Sequence, residues 1–253
     1  MPLTKVKIIL VEPAGPLNVG SIARVMKNFG LTQLIIVNPQ CDPLDKEALQ
    51  MAVHAKDILE QAKITENLTQ ALQGCKRAAA TYGRDLSWNI SPEPPPIVMP
   101  WLLEEVGQPS ALIFGREDRG LTNEELNFAQ KLIRIPTNPE YSSLNLATAV
   151  GLCCYELTQV TQSLDLLIYP DIKIDQNSHP KIDLAAIDIV EDYYHELESL
   201  LLSIGYLYPH TASSRMEKFR QLYNRVQLSY QEVAMLRGIL SQVTWALKNK
   251  RNS

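Results

Sequence analysis

The sequence predicts an α/β protein, a parallel sheet covered by helices on both faces, followed by a small all-helical extension. Three observations point there. Short apolar runs rich in β-branched residues alternate with stretches of helical periodicity up to about residue 162. The strand-like runs are apolar throughout rather than at every second residue, as strands buried on both faces require. Beyond residue 186 only helical periodicity remains.

The elements follow in order. "VKIILVE" (6–12) is a buried strand followed by a Pro/Gly-rich break. From Asn18 to Gly30, Val19, Ile22, Ala23, Met26 and Phe29 recur at helical spacing, and Gly30 supplies the stop. "LIIV" (34–37) is the next strand and completes a βαβ unit. Helices are predicted near 46–60 and 66–73, then a strand at "RAAATY" (77–82). A proline-rich surface loop (91–100) leads to a short helix and the strand "ALIFG" (111–115). Thr122 and Glu125 have the spacing of a capping box and open another helix. Strand "KLIRIP" (131–136) and helix 143–162 close this unit, which is taken as residues 1–163. Residues 164–186 break the alternation and read as a linker. In 187–253 one stripe joins Val190, Tyr193, Tyr194, Leu197, Leu201 and Ile204, and a second joins Met216, Phe219, Leu222, Tyr223 and Val226. A third helix, capped by Ser229 and Glu232, runs through Leu236, Leu240 and Val243. Three such helices make a small bundle or docking arm.

Composition narrows the function classes. The chain has 253 residues, 45% hydrophobic and 21% charged, ordinary for a globular protein with a real core. No apolar run approaches the ~18–20 residues that span a bilayer. The N-terminal apolar run meets Glu12 and Pro13 too soon for a signal peptide. Cys41, Cys75, Cys153 and Cys154 form no C-x-x-C pair and read as reduced core cysteines of a cytoplasmic protein. The four histidines are scattered singly, so no metal site is expected. The net charge of −4 conceals an asymmetry. From Gly205 onward eight Lys and Arg face only Glu217 and Glu232, a balance of +6, whereas the rest of the chain carries −10. A basic module on an acidic body suits a polyanionic partner; a solvated helical face is the alternative.

Three loops each follow a strand and open toward a helix, where open α/β sheets place their ligands. In "NVGSIARVMKNFG", Asn18 and Gly20 permit close approach, and Arg24 lies nearly opposite the apolar stripe. Alone, Arg24 also reads as a solvated surface arginine. In "FGREDRGLTNEE", a charged cluster follows a buried strand, and Gly115 permits a ligand to approach backbone. In "IPTNPEYSSLNLATAV", Ser142, Ser143 and Asn145 crowd a helix start, more polar groups than capping needs, which suits an anionic or polar ligand. There is no P-loop, no G-x-G-x-x-G and no G-x-S-x-G, which disfavours nucleotide hydrolysis, hydride transfer and the serine nucleophile of α/β-hydrolases.

Taken together, in order and spacing, these three loops resemble the signature motifs of the SpoU-type (SPOUT superfamily) RNA 2′-O-ribose methyltransferases, across essentially all of residues 5–160. The C-terminal helices, with "YHELESLLLSIGY" and "LRGIL", resemble the extension of a branch that methylates tRNA. The resemblance implies a trefoil-knotted fold, a homodimer and S-adenosylmethionine (SAM) as cofactor. It implies that Ile135, Ser142, Ser143 and Leu144 of the third loop wrap that cofactor, with Gly115 and the strand-end residues Thr81, Tyr82 and Gly83 completing the pocket. That branch tends to carry Ser and Ala where Tyr82 and Gly83 stand. Arg24 matches the catalytic arginine. Since a guanidinium is no proton acceptor at neutral pH, its expected role is to orient the ribose hydroxyl or adjacent phosphate and stabilise developing negative charge. Asn18, Glu117 and Asn145 match positions that hold Arg24 and the loops in place. The implied reaction is 2′-O-methylation of tRNA, at cytidine or uridine 32 of the anticodon loop. Another tRNA position or ribosomal RNA is the alternative within the class. A non-catalytic RNA-binding module would need a broken motif, and a small-molecule methyltransferase would leave the basic tail unexplained. Arg215, Lys218 and Arg225 are the expected RNA contacts of that tail.

Overall fold

The computed structural model describes residues 2–83, 91–166 and 183–250. Six parallel strands form one sheet in the order β3-β2-β1-β5-β4-β6. They are β1 (Val6–Val11), β2 (Gln33–Val37), β3 (Lys63–Thr65), β4 (Arg77–Thr81), β5 (Ser110–Phe114) and β6 (Lys131–Ile133). The central strands β1 and β5 pair in register, Ile8 with Leu112 and Leu10 with Phe114, and every residue of β5 is buried. Continuous apolar runs therefore mark a sheet with two covered faces. One core packs Ile8, Leu10, Ile36, Leu112 and Phe114 against the helices α1 (Pro16–Asn28), α5 (Pro95–Leu103) and α7 (Leu146–Leu166). The other packs Ile9, Ile35 and Ile113 against Leu68, Leu72 and Ile187.

Several boundaries differ from the sequence reading, each for a local reason. β1 stops at Val11 because Glu12 adopts φ +50°, and Asn38 leaves β2 in the same way with φ +45°. The helix expected over 46–60 is two, α2 (Lys46–Ala52) and α3 (Lys56–Glu60), broken at Val53 with φ +53°. β3 has no counterpart in the sequence reading: "KIT" is a half-exposed edge strand with only Thr65 buried, so it carries no apolar run. The helix expected over 66–73 is the single turn α4 (Leu68–Ala71). The proline-rich stretch is not all loop, since α5 begins at Pro95 and contains Pro100. Proline fits a helix start, and burial of Val98, Met99 and Leu102 outweighs the hydrogen bond that Pro100 removes. The capping box is present and opens α6 (Asn123–Leu126).

β6 lies outside β4, and Glu93, from the connection between β4 and α5, pairs with Ile133 on the far side of β6. The chain running through β6 is thus flanked by β4 and by the segment that follows β4. This arrangement fits the trefoil threading; its full path includes residues 84–90, outside the described residues.

Of the predicted linker, residues 164–166 belong to α7 and 167–182 lie outside the described residues. Its last residues pack against the helical module: Ala185 N–H donates to Leu228 (2.9 Å) and Tyr230 N–H to Asp183 (2.9 Å). The module consists of α8 (Ile187–Ser203), α9 (Ala212–Val226) and α10 (Tyr230–Lys250) around Tyr193, Tyr194, Leu197, Met216 and Val233. It meets the sheet at the amino ends of β4 and β6. Ile187 N–H donates to Cys75 (2.8 Å), Arg77 Nε to Gln227 (2.9 Å) and Asn224 Nδ2 to Asn127 (3.0 Å).

Candidate active site and cofactor cavity

The three loops converge at the carboxyl ends of the strands, and Glu117 is the junction. Its Oε2 accepts from Ala14 N–H (3.0 Å), and its Oε1 from Gly15 N–H (3.1 Å) and Asn18 Nδ2 (3.0 Å). Asn145 Nδ2 in turn donates to Asn18 Oδ1 (2.9 Å). One network therefore ties together residues some hundred positions apart. Burial alone would raise the Glu117 pKa, but the donors from Ala14, Asn18 and Gly15 hold it below the ordinary carboxylate value.

A second tie joins residues to which the sequence reading gives no role in the site. Arg119 Nη2 donates to Glu12 (2.8 Å) and, like Nη1, to Glu125 (2.9 and 3.0 Å). Both carboxylates raise the Arg119 pKa, Glu125 the more, and the hydrogen bond from Arg119 is the largest cause of the lowered Glu12 pKa. The capping box points to Glu125, but no sequence signal connects Glu12 with a partner 107 residues later. Glu12 and Asn38, both left-handed, lie side by side at the ends of β1 and β2 and are joined by a 3.0 Å bond. Such strained residues persist where their surroundings over-determine them.

Beside these ties lies a cavity of about 590 Å³, within the ~300–1,000 Å³ range of small-molecule sites. Thr81, Tyr82, Gly83, Gly115, Ile135, Ser142, Ser143 and Leu144 all line it. Phe114, Ile133, Leu146 and Ala149 add an apolar wall that the sequence reading does not single out. Arg116, Glu117, Asp118 and Arg119 bring charge of both signs to the rim, and Arg116 Nε lies 2.9 Å from Asp118. An apolar wall beside hydroxyls and mixed charge fits a cofactor that joins a nucleoside to a charged amino-acid moiety.

Two glycines are also required by the backbone packed against them. A Cβ on Gly115 would come within 2.2 Å of the Gly120 carbonyl carbon and 2.4 Å of Leu121 N, so the glycine is required first by its own loop, closed through the Arg116–Gly120 bridge. A Cβ on Gly20 would lie 2.2 Å from the Ala48 carbonyl oxygen. The close approach there is between α1 and α2.

Arg24 is exposed on α1 and is not among the residues lining the cavity. It makes no hydrogen bond or ion pair among the described residues. Leu17, seven residues earlier and on the same face of α1, is 51% exposed. On α9, Arg215, Lys218 and Arg225 are exposed and share one face, whereas Arg220 is bound to Glu191 and Arg237 to Glu196. Among the described residues no cluster of three or more His, Cys, Asp or Glu could hold a metal, and no helix is long and apolar enough to cross a membrane. The cysteines are unpaired, and burial pushes the Cys154 thiol up to about 12 and raises Cys153 as well. Inert core thiols have this character.

The parallel sheet, the converging loops and the cavity define a methyltransferase fold, and the chain belongs to the SpoU methylase family: residues 5–155 match the SpoU rRNA methylase family. Residues 188–252 match the C-terminal domain of the tRNA methyltransferase TrmJ. The tRNA (cytidine/uridine-2′-O-)-methyltransferase TrmJ of Pectobacterium atrosepticum is 39% identical over 95% of this chain and 97% of its own. The crystal structure of TrmJ from Z. mobilis superposes with a TM-score of 0.80 at 30% identity, over 94% of this chain and 98% of that one. The SpoU methyltransferase AviRb from Streptomyces viridochromogenes, solved in complex with AdoMet, shares the fold with a TM-score of 0.51 at 20% identity, over 62% of this chain and 58% of that one.

Proposed function

We propose that the protein is a SAM-dependent tRNA methyltransferase that acts on the 2′-hydroxyl of a pyrimidine ribose, at nucleotide 32 of the anticodon loop. The observation that carries this reading is the cavity between the second and third loops, lined by all eight residues expected to hold the cofactor. The names of the TrmJ relatives supply the substrate class. Bound there, SAM would provide an electrophilic methyl group; the protein's part is to place the hydroxyl in line with it. Thr81, Ser142 and Ser143 offer hydrogen bonds at the wall, and Phe114 and Ile133 exclude water from it. Asn18, Glu117 and Asn145 fix the loops relative to one another, so the attack geometry is set before RNA arrives. Arg24 orients the hydroxyl or its neighbouring phosphate and stabilises negative charge on the attacking oxygen.

Arg24 lies outside its own chain's cavity, and its helix face also bears the exposed Leu17. On the neighbouring helix α7, Leu152 and Tyr155 are 40% and 46% exposed, and Tyr155 packs edge-on to Phe29 at the end of α1. A homodimer formed through α1 and α7 would cover these residues and bring Arg24 to a shared site. The exposed cations Arg215, Lys218 and Arg225 serve as the RNA grip of the helical module.

The decisive test is to map ribose methylation in RNA from cells lacking the protein and to supply the purified protein with labelled SAM and tRNA. Loss of the mark at nucleotide 32 and its restoration in vitro are expected. SAM binding with transfer to ribosomal RNA alone would make the tRNA assignment wrong.

A further inference from the structure

The helical module carries a feature that charge alone does not explain. α8 leaves the sheet at Ile187 and runs 17 residues, about 25 Å at ~1.5 Å per residue. The turn at its far end, Ile204 to Thr211, contains Tyr206, Tyr208 and His210, all exposed. Tyr206 and Tyr208 are 53% and 57% exposed, yet Leu207 between them is buried in the module core. The turn is fixed by backbone bonds: Tyr206 and Leu207 N–H donate to Leu201 (3.0 and 3.1 Å), and Thr211 N–H to Tyr208 (2.9 Å). The two rings are therefore presented to solvent on a rigid support. Arg215, in the first turn of α9, lies with its guanidinium carbon 5.9 Å from the Tyr206 ring centre. Tyr208 and His210 stack with planes 25° apart and centres 6.0 Å apart. The starts of α8 and α10 are joined through Ala185 and Leu228, and further along Arg237 Nε donates to Glu196 (3.1 Å), so α10 runs beside α8 in the same direction. That register brings Trp245, 60% exposed, level with the end of α8.

We propose that this turn, with Tyr206 and Tyr208 flanked by Arg215, is a stacking platform for unpaired nucleotides of the RNA substrate. Rigid exposed aromatics beside a cation match the way single-stranded RNA is gripped: bases stack on rings while cations track phosphates. A protein-binding patch is the competing use of exposed tyrosines. The three exposed cations of α9, Arg215, Lys218 and Arg225, against Glu217 on the same helix favour a polyanion, Arg220 being engaged by Glu191. The inference rests on the RNA-directed reading above but adds a site remote from the cavity, since the module meets the sheet at the strand ends opposite to it.

The test compares a fluorescently labelled single-stranded oligouridylate with an RNA duplex of the same length, both titrated with the full-length protein. Replacing both rings, Tyr206→Ala with Tyr208→Ala, is expected to weaken oligouridylate binding roughly ten- to hundredfold, the range for losing aromatic–base stacking, and to spare the duplex. The salt dependence of oligouridylate binding should stay the same, because stacking releases no counterions. Tyr206→Phe with Tyr208→Phe should retain binding, since the ring is kept. Unchanged oligouridylate affinity in the alanine variant, an equal loss on both RNAs, or no oligouridylate binding by the unaltered protein would overturn the proposal. A sedimentation shift toward monomer in the alanine variant would assign the turn to a protein interface. Methyl transfer to tRNA by the unaltered protein separates the two readings. Transfer without ring-dependent binding sinks only the platform, and ring-dependent binding without transfer sinks only the enzymatic assignment.

Discussion

Glu117 shows how much one carboxylate can organise. It accepts three hydrogen bonds, from Ala14, Gly15 and Asn18, and its folded pKa is depressed. A depressed folded value contributes stability that is complete above the unfolded carboxylate pKa of ~4.3. That contribution is lost as pH falls through the lower folded value. Glu117→Gln keeps the size but turns a donor toward one backbone N–H, a cost of about 1.5–3 kcal/mol near neutral pH. The thermal midpoint of the variant should therefore fall below that of the parent at pH 7, and the gap should close in acid; a gap independent of pH would remove the charge from the account. Arg24 is the other pole. Arg24→Ala should slow methyl transfer by at least ~10²-fold, the scale of one preorganised donor, with SAM affinity little changed. Arg24→Lys should fail as well, because an ammonium lacks the forked geometry. Near-normal turnover in either variant would return Arg24 to an ordinary surface arginine. The resemblance to the family's motifs brings Asn18, Glu117 and Asn145 within reach of inference. The Glu12–Arg119 pair is out of reach, because only the packed loops bring those residues together.

At the scale of elements, what is legible in the sequence is what burial dictates. β1, β2, β4 and β5 lie within a residue or so of their expected bounds because both their faces are covered. β3 escapes a reading of the sequence because an edge strand with one buried residue leaves no apolar run. α5 reads as loop because local proline chemistry argues against a helix that tertiary burial of Met99 and Leu102 stabilises. The break between α2 and α3 depends on the unusual φ of Val53, which no periodicity reveals. The second loop makes a prediction at this scale. Gly115→Val forces a side chain into the Gly120–Leu121 backbone, so the loop must open and the cavity wall moves with it. Calorimetry should show SAM binding abolished, with the sheet still folded by circular dichroism, because the clash is confined to a loop. Affinity equal to the parent's would mean that the loop does not form the cofactor wall.

For the whole molecule, the arrangement of its two parts matters more than either alone. The cavity sits at the carboxyl ends of β4, β5 and β6, and the helical module docks at the amino ends of β4 and β6, through Cys75, Arg77 and Asn127. The ends of β4 are about 13 Å apart at ~3.3 Å per residue, so an RNA held by the module must extend past the edge of the sheet to reach a cavity. Three cations that make no ion pair among the described residues lie along α9: Arg215, Lys218 and Arg225 span ten residues of one face, about 15 Å. Arg220 and Arg237 are already engaged by Glu191 and Glu196. Neutralising the three exposed cations together should weaken tRNA binding across sequences. It should also flatten the salt dependence by roughly 0.7–0.9 slope units for each RNA phosphate left without its cation. SAM binding should be untouched, since none of the three lines the cavity. The rival account has α9 docking against a second subunit, with its charges keeping that surface soluble. Salt-titrated binding of the triple variant, read beside its sedimentation, separates the two. A flattened slope with the assembly intact assigns these cations to RNA phosphates. An unchanged slope and affinity would falsify the RNA-grip reading and leave the charge asymmetry as a solvated face.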